Sequence, residues 1–134
     1  MLELLGYVDL PAHHAKSGGF DHAAVHGGRH RLYVAHTAND ALDVIDGATQ
    51  TYVRSIPDLT GVAGALVSED HDLVFTSNRG EDTIGIVSPE RDEVVAKVGV
   101  GVGPNGLAYD PRRSLLLAAN VGDASREQGG FVDE

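Results

Sequence analysis

"RLYVAHTANDALDVIDGATQTYV" (residues 31–53) returns 42 residues later as "LVFTSNRGEDTIGIVSPERDEVV" (residues 73–95). The same offset aligns the chain without gaps over most of its length. Tyr33, Phe75 and Leu117 share a column, as do Leu32, Val74 and Leu116. His36, Asn78 and Asn120 form another, and Gly61 pairs with Gly103. A fixed period of this size is the mark of a repeat architecture.

Each unit reads as four short strands, A to D, separated by turn-forming residues. In the first unit these are 22–25, 31–36, 41–46 and 51–56. In the second they are 64–67, 73–77, 83–87 and 93–98, and a third begins with 106–109 and 115–120. "DGATQ" (46–50), "SPERD" (88–92) and "DPRRS" (110–114) supply the turns, with Pro where φ near −65° is wanted. Leu115–Leu116–Leu117 is apolar on both strand faces, as in a sheet covered on both sides. Four antiparallel strands per repeat, buried on both faces, predict an all-β fold, a β-propeller. A β-sandwich shares the composition but needs no gapless internal period.

Composition agrees with a globular domain rich in turns. The 134 residues are 42% hydrophobic and 22% charged, with 17 glycines and 5% aromatics. A net charge of −10 argues against nucleic acid as a partner. The absence of cysteine excludes disulfides, thiolate metal sites and a cysteine nucleophile. No apolar run approaches the roughly 20 residues of a membrane span. The N-terminus "MLELLGYVDLP" lacks a basic start, so the chain as given reads as unexported and cytoplasmic by default.

Both copies of the opening stretch resemble the YVTN-type propeller repeat, through "LYVAHTANDALDVIDGATQTYVRSI" and "LVFTSNRGEDTIGIVSPERDEVVAKV". The resemblance covers about residues 20–123. It implies four-stranded blades, and it spans surface-layer, quinoprotein-like, nitrous-oxide-reductase-like and lactonase-like proteins, so it does not decide whether the chain is an enzyme. The expected organisation is one partial propeller over 1–134. Residues 2–11 read as the D strand of a preceding or partner blade, 20–58 as blade 1, 62–100 as blade 2 and 104–134 as a partial blade 3. In the last, "VGDASREQGG" (121–130) reads as a long B–C loop and "FVDE" (131–134) as the start of strand C. That is about three blades, fewer than natural propellers carry. The chain is therefore expected either to be a fragment of a larger propeller or to form a homodimer that closes a six-bladed ring.

Propeller topology puts the D–A and B–C loops on one face, at the mouth of the central channel. That face should carry the insert "AHHAKSGG" (12–19), with His13, His14 and Lys16, and the candidate ligand-binding residues Asp21, His22, His36, Asn78, Asn105 and Asn120. "GPNGLAYDPRRSLLLAAN" is similar to a segment of gluconolactonase/regucalcin-like propellers, whose Asn in "PNG" contributes to a divalent-metal site. The resemblance implies Asp21 and Asn105 as oxygen donors for Ca²⁺ or Mg²⁺. Ala63 departs from that pattern in the intervening column. The structural alternative is that "PNG" is a turn in which Gly106 supplies backbone freedom. Asn78 and Asn120 also fit a structural role, bonding loop backbone. His22 and His36, in one blade on one face, are the candidates for a general base or for ligands of zinc, copper or iron. Residues 90–93 read as a solvated turn, and Arg54 and Lys97 as charges protecting outer strands.

Two functions follow from these residues. One is a binding or scaffold module that uses the channel-mouth face for a small ligand or a protein. The other is a divalent-metal-dependent, lactonase-like hydrolase at the same mouth.

Overall fold

The computed structural model describes residues 1–122 and 129–133, the last five as backbone. Its strands are β1 (Ala23–His26), β2 (Arg31–His36), β3 (Ala41–Asp46), β4 (Thr51–Ile56), β5 (Val62–Ser68), β6 (Leu73–Asn78), β7 (Thr83–Ser88), β8 (Glu93–Gly99), β9 (Pro104–Asp110), β10 (Leu115–Asn120) and β11 (Gly129–Asp133). They form three antiparallel sheets, ordered β1-β2-β3-β4, β5-β6-β7-β8 and β9-β10-β11. This is a partial β-propeller of four-stranded blades. The first strands of successive blades lie side by side, β5 against both β1 and β9. The loop expected over 121–130 falls largely on residues outside the described ones, whereas β11 occupies the expected strand C.

The 42-residue period is written into the backbone. Left-handed residues recur at equivalent turn positions: His30, Asp72 and Ser114 between strands A and B, Asp40 and Asp82 between B and C, Gln50 and Asp92 between C and D. Aspartate and histidine tolerate this conformation better than most side chains. The bulge between Val44 and Ile45 in the first sheet reappears between Ile86 and Val87 in the second. Each turn and each bulge thus fixes the register of its blade in the same way.

Two glycines set the joints between blades. Gly61 and Gly103 lie at φ +66° and +65°, just before β5 and β9. A side chain on Gly61 would collide with the Gly80 backbone. The "PNG" turn of the sequence reading is thereby corrected. Pro104 to Gly106 begin strand β9, and the left-handed glycine is Gly103.

Apolar residues between the sheets make two cores. Tyr33, Ala35, Leu42, Val44 and Ile56 of blade 1 meet Val62, Val74 and Val87 of blade 2. Phe75 and Ile84 of blade 2 meet Leu116 and Ala118 of blade 3. At roughly 1.5–3 kcal/mol per buried large side chain, these inter-blade contacts are the main stabilising term.

Polar clamps add to the first interface. Arg29 donates to Asp72 through Nε at 2.8 Å, His26 Nε2 lies 2.8 Å from the same carboxylate, and the Gly28 N–H donates to Glu69 at 2.8 Å. The Arg29 hydrogen bond holds the Asp72 carboxyl down to about 2. Arg54 and Lys97 also clamp rather than merely protect an edge. Arg54 Nε sits 3.4 Å from Asp92, and Lys97 Nζ is 3.0 Å from Glu81 and donates to the Asp58 carbonyl. Asp92 departs from the expected solvated turn: its side chain is 9% exposed and its Oδ1 is buried. It faces the buried Tyr33 phenol, which burial first and the Asp92 charge second push up to about 12.

Residues 1–22 belong to none of the three sheets. Residues 12–21 are nevertheless tied to the B–C turn of blade 1. Ala15 N–H donates to the Ala38 carbonyl, His14 N–H to Asn39 Oδ1, and Asn39 Nδ2 to the Ala12 carbonyl. No helix among the described residues is long and apolar enough to cross a membrane.

Candidate functional site

The B–C and D–A connections converge at one end of the sheets. Asp21 N–H donates to the Ala35 carbonyl and Ala35 N–H to the His22 carbonyl, which brings the entry to β1 beside the end of β2. Thr37 Oγ1 donates to the Val62 carbonyl, joining the same end of blade 1 to blade 2. Asn78 is in register with Val62, and Asn120 with Pro104. The six sequence-derived candidates therefore share one end of the molecule, but they do not form one cluster.

His36 is at the centre of the most developed arrangement. It is fully buried, and so is Asp43, its neighbour on β3. His36 Nδ1 lies 2.8 Å from Asp43 Oδ2, and Ser55 Oγ donates to Asp43 Oδ1 at 2.7 Å. Tyr52 OH lies 2.8 Å from Ser55 Oγ. Proton directions follow from donor capacity. An ionised carboxylate only accepts, so Nδ1 of His36 and the Ser55 hydroxyl both donate, and Tyr52 donates to Ser55. His36 Nε2 lies 2.7 Å from His13 Nδ1. One proton sits in that contact, on either ring, because two acceptors or two donors would repel.

The insert supplies the outer half of this arrangement. His13 is exposed and makes an edge contact with Phe20, their ring centroids 5.1 Å apart. Phe20 in turn covers His36 at 4.2 Å. A cleft of about 290 Å³ opens beside them, lined by Leu10, Pro11, His13 and Phe20 among others. Asp43 and His36 thus connect to solvent through His13.

His22 and His36 have different partners. His22 Nδ1 bonds Asp21 Oδ1 at 2.7 Å and approaches the Ala63 carbonyl at 3.2 Å, with both side chains partly exposed. The partners of His36 are Asp43 and His13. Asn78 has a structural role, although its bonds go to side chains rather than to loop backbone. Thr76 Oγ1 donates to its Oδ1, and its Nδ2 donates to Thr83 Oγ1, each at 3.0 Å. Asn105 offers its carbonyl to Ser77 Oγ at 2.6 Å, while its own Oδ1 is buried without a partner. The Asn120 side-chain amide is likewise buried and unpartnered.

Asp43, Ser55, Tyr52 and Phe20 were not among the sequence candidates. One signal did exist: Asp43 interrupts the apolar run Ala41–Ile45, in a column where the next repeat has Gly85. A charge in the middle of a strand buried on both faces requires a partner.

No protein-family model and no curated protein sequence matches the chain. Among solved structures it is similar to Kuenenia stuttgartiensis hydrazine synthase, with 18% identity and a TM-score of 0.74. The match covers 96% of this chain, which spans 40% of the length of that one. At this identity the likeness speaks to fold alone, and it agrees with the propeller architecture.

Proposed function

We propose that the chain is a YVTN-like β-propeller module that binds a small, oxygen-bearing polar ligand at the loop end of blade 1. The observation that carries this reading is the fully buried Asp43–His36 pair with its outlet to solvent through His13. Burying a carboxyl and an imidazole away from water is costly unless their polar atoms are paired. Blade 2 meets the same structural need with neutral Asn78 and its threonines. The more costly arrangement in blade 1 therefore calls for another use.

Its chemistry suits recognition of a carboxylate or carbonyl oxygen. Asp43 fixes the tautomer of His36, and His36 fixes the ring of His13 through Nδ1. Nε2 of His13 is left to hold or hand over a proton at the cleft, with Phe20 as an apolar wall. His22 and Asp21 lie exposed at the same end as further polar contacts. A thermal-shift screen of small carboxylates and lactones, run on wild type and on His13→Ala, tests the reading. A ligand that stabilises wild type and loses that effect in His13→Ala supports it. A screen without a stabilising compound, or a stabilisation that survives the substitution, rejects it.

A second reading, a lactonase-like hydrolase using Ca²⁺ or Mg²⁺, draws on the unpartnered Asn105 Oδ1. Asp21 and Asn105 are hard oxygen donors of the right kind, but Ca²⁺ takes six to eight oxygens, and Ala63 adds no side-chain donor between them. Among the described residues no group of three His, Asp or Glu side chains converges as a metal site. Lactone hydrolysis measured with added metal and after chelation, on wild type and Asn105→Ala, decides this reading.

A further inference from the structure

One side chain holds the backbone on both sides of His13. Asn39 closes the short 3-10 turn Thr37–Asn39. Its Oδ1 accepts from the His14 N–H at 2.6 Å, and its Nδ2 donates to the Ala12 carbonyl at 3.0 Å. These are the two peptide groups that flank His13. Beside this clasp, Ala15 N–H donates to the Ala38 carbonyl at 3.2 Å and Ala38 N–H to the Gly19 carbonyl at 3.1 Å. Four hydrogen bonds thus lay residues 12–19 along the B–C turn of blade 1, with His13 Nδ1 2.7 Å from Nε2 of the buried His36.

The equivalent position in blade 2 shows what is particular to this clasp. Glu81 accepts from the Thr60 N–H at 3.1 Å, so a side chain of the B–C turn again holds the incoming D–A connection. Glu81 is shared, since it also accepts from Thr83 Oγ1 at 2.8 Å and pairs with Lys97 Nζ at 3.0 Å. Both bonds of the Asn39 amide go to the insert. Residues 12–18 are exposed, and hydrogen bonds open to water are each worth little. The apolar cover over His36 comes from Phe20, at 4.2 Å between ring centroids. Between Phe20 and the clasp lie Gly18 and Gly19, at φ +98° and +108°. Two adjacent glycines are where a backbone turns at least cost.

From these features we infer that residues 12–19 are a lid over His36, latched by Asn39 and hinged at Gly18 and Gly19. Closed, the lid seats His13 on His36 and keeps the His36 ring out of water. Open, it uncovers His36 Nε2 and detaches His13 from the Asp43–His36 pair. Asn39 is then a positioning residue, which orients His13 by gripping the peptide groups on either side of it. The lid deepens the reading of this end as a ligand site and rests on that reading for its use, which is to admit a small ligand to the cleft and hold it there.

Acylation of histidines by diethyl pyrocarbonate on the full chain, read site by site by peptide mass spectrometry, tests the latch without any ligand. In wild type, the buried His36 should react far more slowly than the exposed His14. Asn39→Ala removes both bonds of the clasp and should raise the His36 rate at least about 10-fold. His26, buried between blades 1 and 2, controls for unfolding and should keep its rate. An unchanged His36 rate in a variant whose His26 stays protected, or a wild-type His36 as reactive as His14, would overturn the inference. Should Asn39→Ala fail to fold, amide hydrogen exchange of wild type decides. The His14, Ala15 and Ala38 amides should then exchange together, and faster than those of β2 and β3. Exchange as slow as in those strands, or at three unrelated rates, would overturn the lid. Neither measurement uses a ligand, so failure of the lid and failure of the thermal-shift screen are told apart.

Discussion

Blades 1 and 2 are built on one plan and differ in the polar column where strand B ends. Their strands match residue for residue in β2 and β6, their turns carry left-handed residues at the same positions, and their fourth strands bulge at the same column. Where strand B meets the B–C turn, blade 2 has a neutral set, Asn78 with Thr76 and Thr83, facing Gly85. Blade 1 has His36 with Asp43, Ser55 and Tyr52, roofed by His13 and Phe20. The repeat dictates the rows of apolar side chains and the turns. It leaves the buried polar column free to vary, and that is where chemistry can enter without disturbing the fold.

The sharpest way to break this comparison is Asp43→Ala. It leaves the fully buried His36 and the part-buried Ser55 without their acceptor, at about 1–3 kcal/mol for each stranded donor. Urea unfolding should show that loss, and a loss under about 1 kcal/mol would mean that the pair is not held as described. Gly85→Ala probes the same column in blade 2. The added Cβ would come within 2.5 Å of Thr76 Oγ1 and 3.1 Å of Leu59 Cδ2, so overpacking of about 1–3 kcal/mol is expected. A neutral result there would show that blade 2 has room for the side chain that blade 1 carries.

Asn78→Ala removes two neutral hydrogen bonds and leaves Thr76 Oγ1 without its acceptor. A smaller loss of about 1 kcal/mol should appear in the same unfolding measurement. The least effect concerns the clamp between the A–B turns. The Asp72 carboxyl is held down to about 2 in the folded chain by Arg29, against 3.8 for the free group. Its contribution is therefore complete above about pH 4 and is lost as pH falls toward 2. Because the side chain is 41% exposed, solvent screening limits the effect to under about 1 kcal/mol. Comparing the acid unfolding of wild type and Asp72→Asn between pH 2 and 5 measures it. Blade 3 has Ser114 at the Asp72 position, so no equivalent loss is expected at the second interface.

The fold was legible because the repeat registers twice over, in period and in turn chemistry. The predicted limits of β2, β3, β4 and β10 coincide with the observed strands. Errors arose where local composition competes with position. "PNG" looks like a turn, yet the preceding Gly103 makes the turn and Pro104 opens the strand. Glu90 to Glu93 look solvated, yet Asp92 faces Tyr33 because its turn folds onto the preceding blade.

The site was only half legible. His36 stood out as an exchange for Asn78, but its partners are set by strand pairing and by an insert outside the repeat. Asp43 is seven residues away in sequence and reaches His36 across the β2–β3 pair. His13 arrives through the hydrogen bonds of residues 12–21 to the B–C turn, which no periodicity announces.

The joints at Gly61 and Gly103 have a consequence beyond either blade. Asp40 Oδ1, in the B–C turn of blade 1, accepts from the Gly61 N–H at 2.8 Å, and Asp82 Oδ1 accepts from Gly103 N–H at 2.9 Å. Each glycine is also bonded to the B–C turn of its own blade, Gly61 through Arg79 N–H and Gly103 through Val121 N–H. One short carboxylate hook therefore ties each glycine joint to the preceding blade, in the same way at both joints. Lengthening that side chain by one methylene, Asp to Glu, would alter the arc that each unit subtends.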